Sequence, residues 1–266
     1  MLNSFRNLRF SGSPQAVLLL RLMLVLIIMV LSRLSLYFLH PSLFPGITVS
    51  KLLFYTIAGM RFDIVALLYA NILYIFLLVL PFRFRRKRLF SIITDTIFYI
   101  SNIILMIPNF ADAAYYPFSL KRLTVDIFKY ISTGDDTASM MPQFIRDYWY
   151  VFVLWIAGIF LLIFIVRRVR IANRYVMQKH LQYYIVQTFS MVLFLALTVL
   201  GVREGIQLKP VGILSAAQYA PSEETAIVLN SAFSLMRSAD QRGILKLCVC
   251  SDEGGLCGWG SGVVRV

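Results

Sequence analysis

Residues 59–80 read GMRFDIVALLYANILYIFLLVL, and this stretch decides the fold class. From Ile64 to Leu80 it carries no charged residue, and its length reaches the roughly 17–25 apolar residues that a membrane-spanning helix requires. Arg61 and Asp63 stand immediately before this run. Charges so close to hydrocarbon are costly unless they lie at its edge or find partners. The stretch therefore predicts a transmembrane helix with one end that needs charged or polar neighbours.

The rest of the chain repeats this pattern. Of its 266 residues, 59% are hydrophobic and 15% are charged, whereas soluble domains have about 45–50% apolar and about 25% charged residues. Leu52–Met60 is also apolar, and it either extends the second span or lies at the membrane interface. We predict an all-α integral membrane protein with five transmembrane helices, at Val17–Leu39, Ile64–Leu80, Phe90–Ile107, Trp149–Val166 and Tyr184–Val202.

The charges between the spans predict the orientation of the chain. The formal net charge is +13, and Lys and Arg are concentrated in residues 1–16, 81–89 and 167–183, none of which contains an acidic residue. Segments rich in Lys and Arg stay in the cytoplasm, so the N-terminus is expected inside and the C-terminus outside. The first span then serves as an uncleaved signal anchor. We expect a multi-pass protein of the cell inner (cytoplasmic) membrane whose basic residues contact the phospholipid bilayer and not nucleic acid.

The loop between the third and fourth spans contains a further helical pattern. From Phe118 to Ile131 the apolar residues recur at helical spacing, while charged residues occupy the other faces. This pattern predicts an interfacial amphipathic helix, at about residues 118–131, on the outer surface of the membrane. Packing of the same helix on a neighbouring soluble domain is the alternative, and the two are compatible.

The composition changes after the fifth span and divides the chain into three parts. Residues 1–203 form the transmembrane domain, residues 204–238 an extracytoplasmic connector, and residues 239–266 a glycine-rich tail. All three cysteines lie in the tail. Either they form a metal or disulfide site outside the membrane, or the tail is aberrant, as a frameshift would produce.

The connector is predicted to contain one helix. Ser222 is placed to cap it, and Glu223 and Glu224 fall in the first turn, where acidic residues interact favourably with the helix dipole. Apolar residues continue from Ala226 to Leu235. A segment this short cannot make a sizeable domain alone, so we expect it to lead into a further domain.

Polar residues from several spans are expected to meet at the outer ends of the helices. Arg33 lies about 9 Å below the outer end of the first span, and the third span is expected to end at Pro108. Arg61 and Asp63 are two residues apart and do not face each other, so Asp63 is expected to pair with Arg33 or Arg203. Two interpretations stay open. The charges either form interhelical ion pairs that fix the packing, or they line a pocket for a lipid head group. A guanidinium such as that of Arg61 can bind the phosphate of a head group with two parallel hydrogen bonds. The candidate residues are Arg33, Arg61, Asp63, Asn109, Asp112, Arg122, Arg203 and Glu204.

No reaction centre is predicted in the chain. Its only histidines, His40 and His180, fall on opposite sides of the membrane in this topology. No glycine-rich phosphate loop precedes a helix, and no carboxylate–histidine cluster offers a metal site. Asp95, near the cytoplasmic end of the third span, is expected to pair with Lys87 or Arg88 and so to serve a structural purpose.

Four motifs occur in a familiar order. They are GMRFDIVAL (59–67), NFADAAYYPFSLKRLTVDIF (109–128), GVREGIQLKPV (201–211) and TAIVLNSAFSLMRS (225–238). Together they resemble the lipoteichoic acid synthase-like family, the phosphoglycerol transferases of the sulfatase/alkaline-phosphatase superfamily. The resemblance covers residues 15–238. It departs from the family pattern near Ala239, where the tail begins.

The resemblance implies a function for the chain. In the family, a large extracytoplasmic domain follows the connector, binds a divalent metal such as manganese or magnesium, and uses a Thr or Ser nucleophile to transfer phosphoglycerol from a phospholipid. By this resemblance the chain is the membrane-anchoring, lipid-facing module of a cell-envelope phosphoglycerol or phosphoethanolamine transferase, with phosphatidylglycerol or phosphatidylethanolamine as its lipid.

None of the family's catalytic or metal residues can be placed on this sequence. The chain is therefore expected to lack the catalytic domain, to hold no cofactor and to be inactive alone. The alternative is a non-enzymatic polytopic membrane anchor or a small transporter subunit. A transporter would carry charges near the middle of the membrane or broken helices, and only Arg33 and Asn71 are expected to lie well inside the spans.

Overall fold

The computed structural model describes residues 10–80, 88–127, 146–171, 181–203, 212–221 and 223–239. Most of these residues lie in five long helices: α1 (Pro14–Leu39), α2 (Val49–Val79), α3 (Arg88–Ser119), α4 (Trp149–Val166) and α5 (Leu181–Arg203). The connector adds a 3-10 helix (Ile213–Gln218), a short helix α6 (Thr225–Val228) and a helix α7 at residues 231–239. Another 3-10 helix (Pro41–Leu43) follows α1, and two three-residue strands are β1 (Phe10–Gly12) and β2 (Val169–Ile171).

Four of the helices, α1 to α4, are long and apolar enough to cross a membrane. The fifth predicted span falls in α5, where the apolar segment Thr188–Gly201 is shorter than a span among the residues that the structure describes. Large apolar side chains such as Leu19, Ile27 and Phe160 are more than half exposed. Exposed apolar surface of this kind is suited to lipid contact. The protein is therefore a helical protein with four helices that could span a bilayer.

The ends of the first two helices follow from their sequences. Ser13 caps α1, because its Oγ accepts a hydrogen bond from the Ala16 amide at 3.3 Å and Pro14 occupies the first turn. Helix α2 is continuous from Val49 to Val79. Leu52–Met60 consequently extends the second helix, which was one of the two alternatives open from the sequence.

The third helix is longer than predicted. Helix α3 continues past Pro108 to Ser119 and contains Pro117 as well, so the expectation that it ends at Pro108 was wrong. Each proline removes one backbone hydrogen bond, a loss that neighbouring helices commonly offset in membrane bundles. As a result Asn109 and Asp112 lie on the helix, and both are buried.

The predicted amphipathic helix at residues 118–131 does not form over its first half. Helix α3 ends at Ser119, Leu120 has a positive φ of 51°, and residues 122–124 have no regular structure. The Leu123 amide donates to Asp112 Oδ1 at 2.9 Å, which holds this segment against the preceding helix. Residues 126 and 127 are helical, and residues 128–131 lie outside the described part of the chain.

The long helices alternate in direction. Strand β1 precedes α1, strand β2 follows α4, and the two pair in parallel with Phe10 opposite Val169. We call this end of the bundle the strand end. Gln15 Nε2 donates to Ser190 Oγ at 3.0 Å, so the first half of α5 also lies there. At the opposite end, the connector end, residues of the connector pack on α2, as in the edge-on contact of Phe62 with Phe233 at 5.1 Å.

A buried arginine fastens the helices near the strand end. Arg21 Nη1 lies 2.6 Å from Asp95 Oδ1, and the same guanidinium donates to Tyr74 Oη at 3.2 Å and to the Val169 carbonyl at 3.0 Å. Asp95 thus binds Arg21, which was not one of its expected partners, and Lys87 lies outside the described residues. Arg21 stands within the first predicted span, where a charge ordinarily seeks a partner in the bundle.

Two amides join α2 and α3 midway along the bundle. Asn71 Nδ2 donates to Asn102 Oδ1 at 3.0 Å, and Asn102 Nδ2 returns a bond to Asn71 Oδ1 at 2.9 Å. Both side chains are fully buried. Each amide also donates to a carbonyl of its own helix, so the pair is satisfied within the protein.

Candidate functional site

Two buried ion pairs lie at the connector end. Arg33 Nη2 of α1 is 2.5 Å from Asp63 Oδ1 of α2, and their side chains are 2% and 0% exposed. Arg122 follows the end of α3. Its Nη1 is 2.5 Å from Asp112 Oδ2 of α3, and the side chains of Arg122 and Asp112 are 5% and 0% exposed. Buried charges are tolerated when they are paired and hydrogen-bonded. The two pairs together carry no net charge.

The connector binds both ion pairs. Asn230 Nδ2 donates to Asp63 Oδ1, the atom that also accepts from Arg33. Arg122 Nη1 donates to Ser231 Oγ at 3.0 Å, and Arg122 Nε donates to the Ala226 carbonyl at 2.7 Å. The helices and the connector therefore share one polar network. We call it the connector-end cluster; it comprises Arg33, Asp63, Asn109, Asp112, Arg122, Asn230 and Ser231.

The local sequence of the connector explains how it reaches the cluster. Asn230 caps α7, since its Oδ1 accepts from the Ala232 amide at 2.8 Å and from the Phe233 amide at 3.4 Å. Asn109 Oδ1 accepts from the same Ala232 amide at 3.2 Å. The single connector helix that was predicted is consequently two helices, because Leu229 is extended between them. Ser222, its predicted cap, lies outside the described residues.

A glycine on α2 admits the guanidinium of Arg33. Arg33 Nη2 donates to the Gly59 carbonyl at 3.0 Å, and Nη1 donates to the Thr56 carbonyl at 3.4 Å. A Cβ at position 59 would lie 1.7 Å from Arg33 Nη1 and 2.6 Å from the Val228 carbonyl oxygen. Neither α1 nor α6 could approach α2 so closely with a side chain at this position.

The arrangement favours ion pairing over head-group binding. Three buried atoms of the cluster have no hydrogen-bond partner among the described residues, namely Arg33 Nε, Asp63 Oδ2 and Arg122 Nη2. The gap that Arg33, Arg122 and Asn109 line does not admit a water molecule. Both guanidiniums instead use their other nitrogens on carboxylates, carbonyls and a hydroxyl of the protein. The cluster in this form holds helices and connector together.

The remaining predicted site residues lie apart from the cluster. Arg61 is exposed; it donates to the Tyr219 hydroxyl, and its Cζ lies 5.6 Å from the centre of the Tyr219 ring. Arg61 and Asp63 therefore face different neighbours, as their spacing predicted. Arg203 is the last residue of α5, but its side chain and the whole of Glu204 lie outside the described part. Five of the eight candidates thus join one network.

Sequence reasoning missed several residues of this region. Gly59, Asn230 and Ser231 lie within the four motifs but are not among the predicted site residues. An Asn–Ser pair before an apolar run is a helix-start signal, and it could have marked the break in the connector. A second missed contact joins the Tyr55 hydroxyl of α2 to Glu224 Oε2, and no spacing rule would have predicted it.

No group of three or more His, Cys, Asp or Glu side chains that could hold a metal ion occurs within the described ranges. Nor does any protein-family model, curated protein or solved structure match the chain.

Proposed function

We propose that the chain is the membrane-anchoring, lipid-facing module of a phosphoglycerol- or phosphoethanolamine-type transferase of the cell envelope. The connector-end cluster carries this proposal. Six of its seven residues come from three of the four motifs on which the resemblance rests: Asp63 from the first, Asn109, Asp112 and Arg122 from the second, and Asn230 and Ser231 from the fourth. Arg33 completes it from α1.

The cluster also explains what the module does. Two ion pairs and a helix cap hold the connector against α1, α2 and α3. A connector fixed in this way sets the height and orientation of a catalytic domain above the bilayer. A transferase that takes its group from a membrane phospholipid needs such positioning, because reacting groups must be held in near-attack geometry.

We further propose five spans with the strand end in the cytoplasm and the connector end outside. The alternation of α1 to α4 supports this, and α5 extends it because its first half lies near Gln15 at the strand end. A Cβ added to Gly201 of α5 would lie 2.5 Å from Leu68 Cδ1 of α2. Helix α5 therefore follows α2 over much of its length. The basic residues Arg88, Arg167 and Arg168 fall at the strand end, as the positive-inside rule requires.

Cysteine labelling tests the orientation. In a background in which Cys248, Cys250 and Cys257 are serine, single cysteines at positions 45 and 135 are expected to react with a membrane-impermeant maleimide in intact cells. Cysteines at positions 86 and 172 should react only after lysis, because the basic segments remain inside. Labelling of position 86 from outside would overturn the proposed span assignment.

Activity measurements test the functional assignment. The purified 266-residue chain is expected to release no diacylglycerol from phosphatidylglycerol with Mn²⁺ or Mg²⁺ above a no-protein control, because the described residues contain neither an activated nucleophile nor a metal cage. Turnover by the chain alone would show that the chemistry has been misplaced. The positive test is the DNA downstream of the coding sequence: a sulfatase-like coding region, in any frame, supports the assignment, and an unrelated sequence contradicts it.

A further inference from the structure

Helix α3 loses one backbone hydrogen bond near the connector end. The helix continues to Ser119 with Pro117 inside its last turn. In an α-helix the amide of each residue donates to the carbonyl four residues earlier, and proline has no amide hydrogen. The carbonyl of Ala113 therefore loses its ordinary donor. Ala113 is 2% exposed, and a buried carbonyl without a partner is costly.

Helix α1 supplies a donor to this carbonyl. His40 Nε2 lies 2.8 Å from the Ala113 carbonyl oxygen. A carbonyl oxygen only accepts hydrogen bonds, so Nε2 carries the hydrogen and donates it. His40 is the C-terminal cap of α1, and its own amide donates to the Leu36 carbonyl at 3.2 Å. This cap fixes the backbone of His40, and so holds the ring beside α3.

A ring contact holds the same turn of α3. Phe44 follows the 3-10 helix after α1, and its ring stacks on that of Tyr116, with centroids 5.5 Å apart and an interplanar angle of 14°. Both residues are 3% exposed, so the stack is shielded from solvent. His40 and Phe44 thus contact α3 at positions three residues apart, which is one turn of the helix. We call these two contacts the α1–α3 clasp.

The turn held by the clasp lies next to residues that bind the connector. Asp112 precedes Ala113, and its carboxylate accepts from Arg122 and from the Leu123 amide. Arg122 in turn donates to the Ala226 carbonyl of the connector at 2.7 Å. A continuous series of contacts therefore joins the end of α1 to the connector through the last turns of α3.

The segment after α3 contacts the connector a second time. Leu120 has a positive φ of 51°, which turns the chain away from the helix axis. The Val125 amide then donates to Ser238 Oγ at 3.0 Å. Because this segment starts from the end of α3, the direction in which the helix ends determines where both Arg122 and Val125 meet the connector.

We propose that His40 is a positioning residue for the connector. Its imidazole replaces the hydrogen bond that Pro117 removes from α3, and the α1–α3 clasp thereby fixes the direction in which α3 ends and the position of the connector. The proline and the imidazole form one unit, because the carbonyl that the first leaves free is the one that the second binds. The proposal concerns only how the connector is held, so it stands or falls independently of the transferase assignment.

Hydrogen exchange of the detergent-purified full chain tests the role of His40. His40→Ala leaves the buried Ala113 carbonyl without its donor, and we expect the exchange of residues 120–127 and 225–239 to accelerate about ten-fold, which corresponds to about 1.4 kcal/mol. Ser42→Ala is the matched control, since Ser42 is exposed in the same loop, and it should exchange as the wild type does. Wild-type exchange in His40→Ala would overturn the proposal.

A distance measurement separates positioning from a general loss of stability. In a background in which Cys248, Cys250 and Cys257 are serine, spin labels at Ile57 of α2 and Ala239 of the connector report the connector position, and both residues are exposed. His40→Ala is expected to shift or broaden the distance distribution from double electron–electron resonance. An unchanged distribution would overturn positioning, because a merely less stable protein stays folded under these conditions with its connector in place.

Side-chain length separates hydrogen bonding from packing at position 40. The amide nitrogen of glutamine can reach the place of Nε2, whereas that of the shorter asparagine lies near the place of Nδ1. His40→Gln is therefore expected to keep exchange of residues 225–239 within about three-fold of wild type, and His40→Asn should behave like His40→Ala. Equal results for Gln and Asn would contradict donation from Nε2.

The decisive experiment couples His40 to Pro117. Pro117→Ala returns an amide hydrogen to α3 and is compatible with folding, since alanine favours the helix; the backbone can then satisfy Ala113 without the imidazole. We expect His40→Ala to accelerate connector exchange about ten-fold in the wild-type background but less than about two-fold in the Pro117→Ala background. The same acceleration in both backgrounds would overturn the proposal, because His40 would then act through something other than the carbonyl that Pro117 leaves free.

Discussion

Replacing Asp63 by alanine is expected to lower the free energy of unfolding by about 3–5 kcal/mol, the range for removing one partner of a fully buried ion pair. Arg33 would keep its charge at a position where its side chain is 2% exposed, and Asn230 would lose the carboxylate that it binds. Thermal or denaturant unfolding in detergent measures the loss. Hydrogen exchange should show an accompanying loss of protection in residues 225–239, because the connector is held through the same carboxylate.

Three comparisons make this result specific. Arg61→Ala should change stability by about 1 kcal/mol or less, because Arg61 is exposed and its contact with Tyr219 is a surface one. Asp63→Asn should be milder than Asp63→Ala, because the amide oxygen still accepts from Asn230. Arg33→Met with Asp63→Leu should recover most of the loss, because replacing a buried pair by apolar residues is often close to neutral. Equal damage from Arg61→Ala and Asp63→Ala would contradict the assignment of the buried pair.

The same variants separate the two interpretations of the candidate residues. If the cluster serves packing, well-folded Arg61→Ala protein should retain as much phosphatidylglycerol as wild type. If Arg61 held a head group, removing its guanidinium would cost a charge-assisted hydrogen bond, which corresponds to about ten-fold or more in lipid affinity. Native mass spectrometry of retained lipid reports the difference, with Ala157→Leu, at an exposed position of α4 outside the connector-end cluster, as the reference.

The sequence predicted the helices better than their ends. Helices α1 and α4 were predicted with close boundaries because their apolar runs are long, and Trp149–Val166 coincides with α4. Helix α2 begins at Val49, 15 residues before the predicted start of the second span at Ile64. The end of α3 was misplaced because a proline is an ambiguous signal: it stops most helices in soluble proteins, but a bundle can satisfy the freed backbone groups. The predicted amphipathic helix does not form over residues 120–124, because a tertiary contact, the Leu123 amide with Asp112, overrides the local periodicity there.

The site was predictable in outline but not in detail. Charge depth and spacing indicated that Asp63 should pair with Arg33 or another span, because a buried carboxylate needs a cation. The second partner of Asp63 is Asn230 of the connector. No pattern in the connector sequence indicates which side-chain amide will face Asp63. Asn230 does so only because it also caps α7, and that double use depends on how the connector crosses α2. Gly59 could not be predicted for the same reason: its importance depends on Arg33 and Val228, which pack against it only in the folded protein.

Gly59→Ala is expected to be among the most damaging single substitutions in the described part of the chain. In the interior of a helix, alanine is ordinarily more stable than glycine by about 0.5–1 kcal/mol. At position 59 the added Cβ would lie 1.7 Å from Arg33 Nη1 and 2.6 Å from the Val228 carbonyl oxygen. Arg33 cannot move aside without leaving Asp63, and the carbonyl belongs to the backbone of α6. We therefore expect a loss of about 3 kcal/mol or more, comparable to breaking the ion pair.

Gly158→Ala is the matched control for this prediction. It gives the same gain in helix propensity, but its Cβ would lie 3.3 Å from the edge of the Phe110 ring and 4.0 Å from Ile28 Cγ2, with no backbone atom among these neighbours, so its effect should be small. If the clash at position 59 acts through Arg33, the loss in the double variant Gly59→Ala with Arg33→Ala should be clearly less than the sum of the two single losses. Hydrogen exchange of residues 225–239 should also rise in Gly59→Ala, because Val228 must withdraw from α2. A Gly59→Ala protein as stable as wild type, with its connector still protected, would show that α2 and the connector do not approach each other as closely as the cluster requires.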